Sequence, residues 1–157
     1  MKLTLDTNVL VSAFVSKQGH PGKLIDVILA FPEIRLALSE PILLEFRDVM
    51  MREEVRERFG YSVKEVESFV EDLRRVSNMV TVKSRLMVVK EDHKDDIVIN
   101  TAIDANSDFI VSGDSHLQKM KRFRRIKIVN PRQMIEMISS RFGELIITRD
   151  EIRESSA

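Results

Sequence analysis

The sequence predicts an α/β domain built on a central parallel sheet. Three observations carry this reading. Short apolar runs of strand length alternate along the chain with helical stretches. Those stretches are long enough to cross back over a sheet, which parallel strands require. No repeat, low-complexity tract or Pro/Gly linker divides the 157 residues, a length that fits one domain with a substantial core. That single domain is expected over residues 1–141, followed by a C-terminal tail over 142–157.

The elements follow in order. Lys2 to Leu5 alternates apolar and polar side chains and reads as a strand. Asp6 ends it, and Thr7 to Val15 reads as a helix. A turn over residues 18–22 leads to a second helix, Lys23 to Phe31, which Pro32 stops. Ile34 to Leu38 is a strand. Ser39 is placed as an N-cap, with Pro41 in the first turn of a helix to about Met51. Glu53 to Phe59 continues helically until Gly60. Ser62 caps a charged amphipathic helix, Val63 to Val76. Met79 to Val82 is a strand, and Ser84 to His93 is irregular. Asp95 opens a helix to Ala105 that is apolar nearly all round and is expected to be buried. Phe109 to Val111 is a strand, Ser115 to Met120 a short helix, Ile126 to Val129 a strand, and Pro131 starts a last helix to Ser140.

Composition narrows the chemistry. The apolar share is 43% and the charged share 32%, as in an ordinary soluble protein. Without cysteine there are neither disulfides nor thiolate sites. Any metal must be held by oxygen or imidazole, and His20, His93 and His116 lie far apart. Net charge is zero, so overall charge does not bind this chain to nucleic acid. The apolar run at the N-terminus is broken by Asp6 and Asn8, unlike a signal peptide. No stretch reaches membrane-helix length. A cytoplasmic location is expected.

Four carboxylates are directed towards one edge of the sheet. Ligands of an open parallel sheet bind beyond the carboxyl ends of its strands. Asp6 ends the first strand, and Asp114 follows Phe109 to Val111. The helix opened by Asp95 feeds that strand and so starts at the same rim. Glu45 lies roughly 8 Å into a helix that also starts there, and helical side chains tilt back towards the N-terminus. Like charges gathered this way raise one another's pKa, a penalty that a hard cation removes. Mg²⁺ and Mn²⁺ prefer such oxygen ligands. Each residue also has a structural reading. Asp6, Asp95 and Asp114 stand where Asp caps helices. Asp96 is either an accessory acid or first-turn charge. Asn8 and Ser112 either hydrogen-bond the acids or stabilise turns. His116 reads as a surface residue. The basic run Lys119, Lys121, Arg122, Arg124, Arg125 and Lys127 is either a solvated face or a grip on phosphates.

The sequence resembles the PIN-domain nuclease family. The resemblance rests on residues 5–13 (LDTNVLVSA), 39–46 (SEPILLEF), 95–102 (DDIVINTA) and 108–114 (DFIVSGD). It implies a three-layer α/β/α sandwich and Mg²⁺- or Mn²⁺-dependent endoribonuclease activity. It further implies that Asp6, Glu45, Asp95 and Asp114 are the metal ligands, with Asp96 one position away from the third. Many small members resembling this chain are toxins of toxin–antitoxin pairs, and dimers are usual. The implied partners are therefore RNA, an antitoxin protein and a second copy. The family often has another acid where this chain has His116. Two other classes compete. A phosphatase of the haloacid-dehalogenase type also begins with a strand and Asp, but needs a second Asp where this chain has Asn8. A non-catalytic binding module on the same scaffold is opposed by the intact set of acids.

Overall fold

The computed structural model describes residues 1–88 and 93–156, with side chains over 1–88 and 95–143. Its centre is a six-stranded sheet in the order β3-β2-β1-β4-β6-β5. The strands are β1 (Lys2–Leu5), β2 (Arg35–Leu38), β3 (Asn78–Met79), β4 (Phe109–Val111), β5 (Arg122–Phe123) and β6 (Ile126–Val129). All neighbours pair in parallel except β5 and β6. The helices are α1 (Thr7–Val15), α2 (His20–Ala30), α3 (Glu40–Met50), α4 (Glu53–Phe59), α5 (Val63–Val76), α6 (His93–Ala105), α7 (Ser115–Met120) and α8 (Pro131–Ser156). From β1 to β3 the chain steps one way across the sheet, and from β3 to β4 it returns. Right-handed crossovers therefore lay α1 to α5 on one face and α6 on the other. This is the expected three-layer α/β/α architecture.

The order puts β1 and β4 side by side at the middle. Their ladder pairs Leu3 with Phe109 and Leu5 with Val111, and runs on through Asp6 N–H to Val111 O at 2.9 Å. Both strands are buried on both faces, as central parallel strands require. On α3, Phe46 is fully buried. Its ring meets Phe14 of α1 at 5.9 Å and Phe69 of α5 at 5.3 Å between centroids. Val66, Val70 and Leu73 turn the buried face of α5 into the same core.

Most element boundaries lie close to the sequence reading, with α6 opening at His93 rather than Asp95, and four larger differences stand out. First, α2 begins at His20 rather than Lys23, because Pro21 fits its first turn and Gly19 takes the cap position. Gly22 belongs to that turn. A Cβ there would sit 2.5 Å from the Lys17 carbonyl oxygen. Gly22→Ala is therefore expected to destabilise by about 1–3 kcal/mol, despite alanine's better helix propensity. Thermal or denaturant melts check this, and a neutral or stabilising result refutes it. Second, β3 is shorter than Met79 to Val82 and starts one residue earlier. Val80 N–H still bonds Leu38 O at 2.8 Å, after which the chain leaves the sheet and lies against α6. Third, β5 was hidden inside the basic run. Fourth, α8 passes Ser140 to Ser156, with a non-helical residue at Phe142 (φ −122°, ψ 19°).

Capping shows a similar mix. Ser62 and Glu65 form a reciprocal capping box at 3.1 and 3.2 Å. Ser39 sits at the cap position of α3 but makes no capping bond. Its hydroxyl instead pairs with Thr101 of α6 at 2.7 Å, both groups being buried. Asp95 and Asp96 lie inside the first turn of α6 rather than opening it.

Candidate metal centre

The carboxyl ends of β1 and β4 bring Asp6 beside the Ser112–Asp114 turn. Asp6 is 6% exposed. One carboxylate oxygen accepts Thr7 N–H at 2.8 Å. The other accepts the Ser112 hydroxyl at 2.7 Å and the Asn8 amide at 3.1 Å. Despite these donors, burial pushes its pKa from 3.8 up to about 6. The Ser112 and Thr7 bonds pull it down, and the charges of Glu45 and Asp114 push it up again.

Asp114 caps α7. Its Oδ1 accepts the N–H groups of His116 at 2.7 Å and Leu117 at 3.3 Å. The capping reading of Asp114 is thus realised, and it uses one oxygen only. Ser112 joins the two acids: its hydroxyl donates to Asp6 and accepts the Asp114 N–H at 3.0 Å. Asn8 braces the same turn by accepting Gly113 N–H at 2.9 Å. With its amide on Asp6 and its carbonyl on Gly113, Asn8 is a brace and carries no transferable proton.

Glu45 comes from α3, half-buried at the border of that helix. Its Oε2 accepts the Thr7 hydroxyl at 3.0 Å. Thr7, whose N–H bonds Asp6 and whose hydroxyl bonds Glu45, therefore links the two acids. The sequence reading did not single out Thr7; a hydroxyl directly after the strand-end Asp is the signal that was available. Asp95 is buried in the first turn of α6, which packs on β1, β2 and β4. That places it on the same rim, since α6 runs antiparallel to β4. Asp96, also buried, accepts Val88 N–H at 2.8 Å from the extended segment before α6. Its neighbours on the same helical face behave alike. Asn100 exchanges two bonds with the Leu86 backbone at 3.0 and 3.1 Å, and Asp104 accepts Lys83 and Ser84 N–H at 2.6 and 2.8 Å.

His116 is exposed on α7. The basic run is divided by the β5–β6 hairpin. Lys119 and Lys121 stay with α7, whereas the turn at Arg124 and Arg125 lies beyond the start of β6, because Phe123 pairs with Ile126. Val129 pairs with Val111 at the acid rim. At about 3.3 Å per residue, that turn is roughly 13 Å away, at the opposite edge of the sheet.

Among the described residues, no three His, Asp or Glu side chains are gathered closely enough to hold an ion outright. The donor set still fits a hard cation. It is all oxygen, and its buried member Asp6 carries a pKa raised by burial and by its acid neighbours. An ion that keeps several waters needs only one or two carboxylates at a time.

A mostly parallel sheet of this order defines an open α/β class whose ligands bind beyond the carboxyl ends of the strands. Residues 2–116 match the family model described as PIN domain. The chain belongs to the PIN domain family. As a family, PIN domains are nucleases. An uncharacterized protein of Methanocaldococcus jannaschii is 26% identical over 145 residues, covering 87% of this chain and 90% of its own. Two solved structures share the fold at 14% identity, each covering 83% of this chain and 98% of its own. VapBC2 from Rickettsia felis, bound to a DNA fragment from its promoter, superimposes with a TM-score of 0.58. VapBC-1 from nontypeable Haemophilus influenzae gives 0.51. No helix among the described residues is long and apolar enough to cross a membrane.

Proposed function

We propose that this chain is a divalent-metal-dependent endoribonuclease. Asp6, Glu45, Asp95 and Asp114 would hold Mg²⁺ or Mn²⁺. The observation that carries this reading is the hydrogen-bonded set of acids at the rim. Ser112 joins buried Asp6 to Asp114, and Thr7 joins Asp6 to Glu45. Burial raises the Asp6 pKa, and the charges of Glu45 and Asp114 add to that, so the arrangement stores like-charge repulsion that a cation relieves.

The bound ion would activate water and neutralise charge on the phosphoryl group. The protein's own groups do the rest. Ser112 and Thr7 hold the Asp6 and Glu45 carboxylates by hydrogen bonds. The cap of α7 fixes one Asp114 oxygen and leaves the other directed by that anchor. The walls of β1 and β4 keep water away from the buried side of Asp6. RNA as substrate, an antitoxin partner, a homodimer and a cytoplasmic setting complete the proposal. The VapBC structures support the antitoxin reading through shared fold, and the PIN domain match supports the nuclease reading.

The test is cleavage of a labelled RNA with Mn²⁺, with and without a chelator. Metal-dependent fragments are expected, and chelator-insensitive cleavage or none at all refutes the proposal. A proton on Asp6 competes with the ion. Mn²⁺ affinity measured by calorimetry is therefore expected to fall about tenfold per pH unit once the pH drops below about 6. A flat profile from pH 7 to 5 counts against Asp6 as a ligand.

A further inference from the structure

The extended segment over residues 80–88 is held along α6 by a ladder of side chains. Asp104 takes the backbone N–H groups of Lys83 and Ser84, and the Ser84 hydroxyl at 2.5 Å. Asn100 takes Leu86 N–H and donates to Leu86 O. Asp96 takes Val88 N–H. The three helical positions are four residues apart and share one face. Four helical residues rise about 6.0 Å, and two extended residues span about 6.6 Å. The two repeats therefore stay in step over the length of the contact. The segment acts as a strap running antiparallel to α6, from its C-terminal half up to the turn that carries Asp95.

This pinning fixes which side chains face out. Val82, Ser84, Leu86 and Val88 are half-buried, while Thr81, Lys83, Arg85 and Met87 are exposed. Met87 is 76% exposed, more than any other large apolar side chain among the described residues. The outward row thus carries two cations and then an open apolar face, in that order, towards the acid rim.

We propose that this strap is the track along which a single-stranded RNA reaches the rim, which rests on the nuclease reading above. A polyanion is repelled by the carboxylates and must be held by cations outside them. Lys83 and Arg85 sit about 6.6 Å apart on an immobilised backbone, so their long side chains reach successive phosphates. Met87 offers a base a soft apolar surface next to the rim. The basic hairpin turn at Arg124 and Arg125 belongs to β5 and β6, beyond β4 in the sheet, whereas α6, which carries the strap, packs over β1, β2 and β4. A pinned strap binds with less ordering cost than a free loop, so the ladder is part of the device.

The test is anisotropy of a 5′-labelled oligouridylate of about twelve nucleotides, with Ca²⁺ present to slow turnover, across a salt series. The K83A/R85A variant is expected to bind about tenfold more weakly, and its log–log salt slope to be shallower by about 1 per cation removed. In RNA cleavage it is expected to raise KM and leave kcat near that of the unaltered protein. Asn100→Leu keeps every charge but frees Leu86, and is expected to weaken binding several-fold. The charge-matched R124A/R125A variant separates the two basic surfaces. If it loses affinity while K83A/R85A binds normally, the track is overturned. A correctly melting Asn100→Leu protein with full affinity overturns the role of the ladder. If the unaltered protein cleaves RNA and K83A/R85A matches it in KM and salt slope, the strap fails and the nuclease reading stands. If the unaltered protein neither binds nor cleaves RNA, the nuclease reading falls and the track with it.

Discussion

Asp6→Asn is expected to abolish metal-dependent RNA cleavage and, at neutral pH, to make the protein more stable. Altering a residue that merely orients a metal ligand costs about 10–100-fold. Losing a central ligand therefore removes more than about 100-fold. The stability gain comes from burial. In the folded protein the Asp6 carboxyl is pushed from 3.8 up to about 6. A raised acid contributes stability that is fully present below pH 3.8, where the unfolded chain is protonated as well. That contribution is lost as the pH climbs through about 6, and the loss is on the order of 3 kcal/mol. Asparagine is neutral throughout and escapes it, although it replaces one acceptor with a donor beside the Asn8 amide. A net gain of about 1–3 kcal/mol is expected above pH 6, shrinking to nothing near pH 4. Melting curves of both proteins across that range, without metal, check it. Saturating Mn²⁺ should restore the difference in favour of Asp6, because binding stabilises only the folded state. Asp114→Asn is the companion. Asn caps a helix as well as Asp does, so activity should fall while α7 persists. Undiminished cleavage in both variants removes these acids from the site.

The largest loss of stability is expected from Phe46→Ala. Phe46 is fully buried, and its ring is held between Phe14 and Phe69. Truncation removes the transfer energy of the ring and leaves a cavity between α1, α3 and α5, at a cost of about 3–5 kcal/mol. The neighbouring rings belong to two other helices and close the gap only in part. The effect reaches the rim as well, because Glu45 precedes Phe46 on α3. Loosening α3 weakens the Glu45 bond to Thr7. Denaturant melts should show the full cost, and Mn²⁺ affinity should fall even where the variant is folded. A loss below about 1 kcal/mol contradicts the packing argument.

Much of this molecule was legible from the chain. Alternation of strand and helix implied the parallel sheet, and the strand ends at Asp6 and Val111 implied that Asp6 and Asp114 stand at one rim. The Ser62 cap was readable because a capping box is a local device, with both partners three residues apart. What escaped was non-local. Ser39 stands at a cap position, yet its hydroxyl goes to Thr101, 62 residues away. The β5 strand is two residues long and charged, so no period marks it, and only pairing with β6 makes it a strand. The division of the basic run follows from that hairpin alone.

The carboxylates are the sharpest contrast. The sequence by itself determined that Asp6 and Asp114 share a rim, because a strand's end is set by its own apolar run and the sheet's direction. Only the tertiary structure decided what each acid does there. It joins Asp6 to Asp114 through Ser112, ties Glu45 to Thr7, and engages Asp96 with the strap while Asp95 stays in the first turn of α6. The reason is physical. A strand's period is local and survives in the sequence, whereas a hydrogen bond across the fold depends on the final distance between elements that the chain separates by dozens of residues.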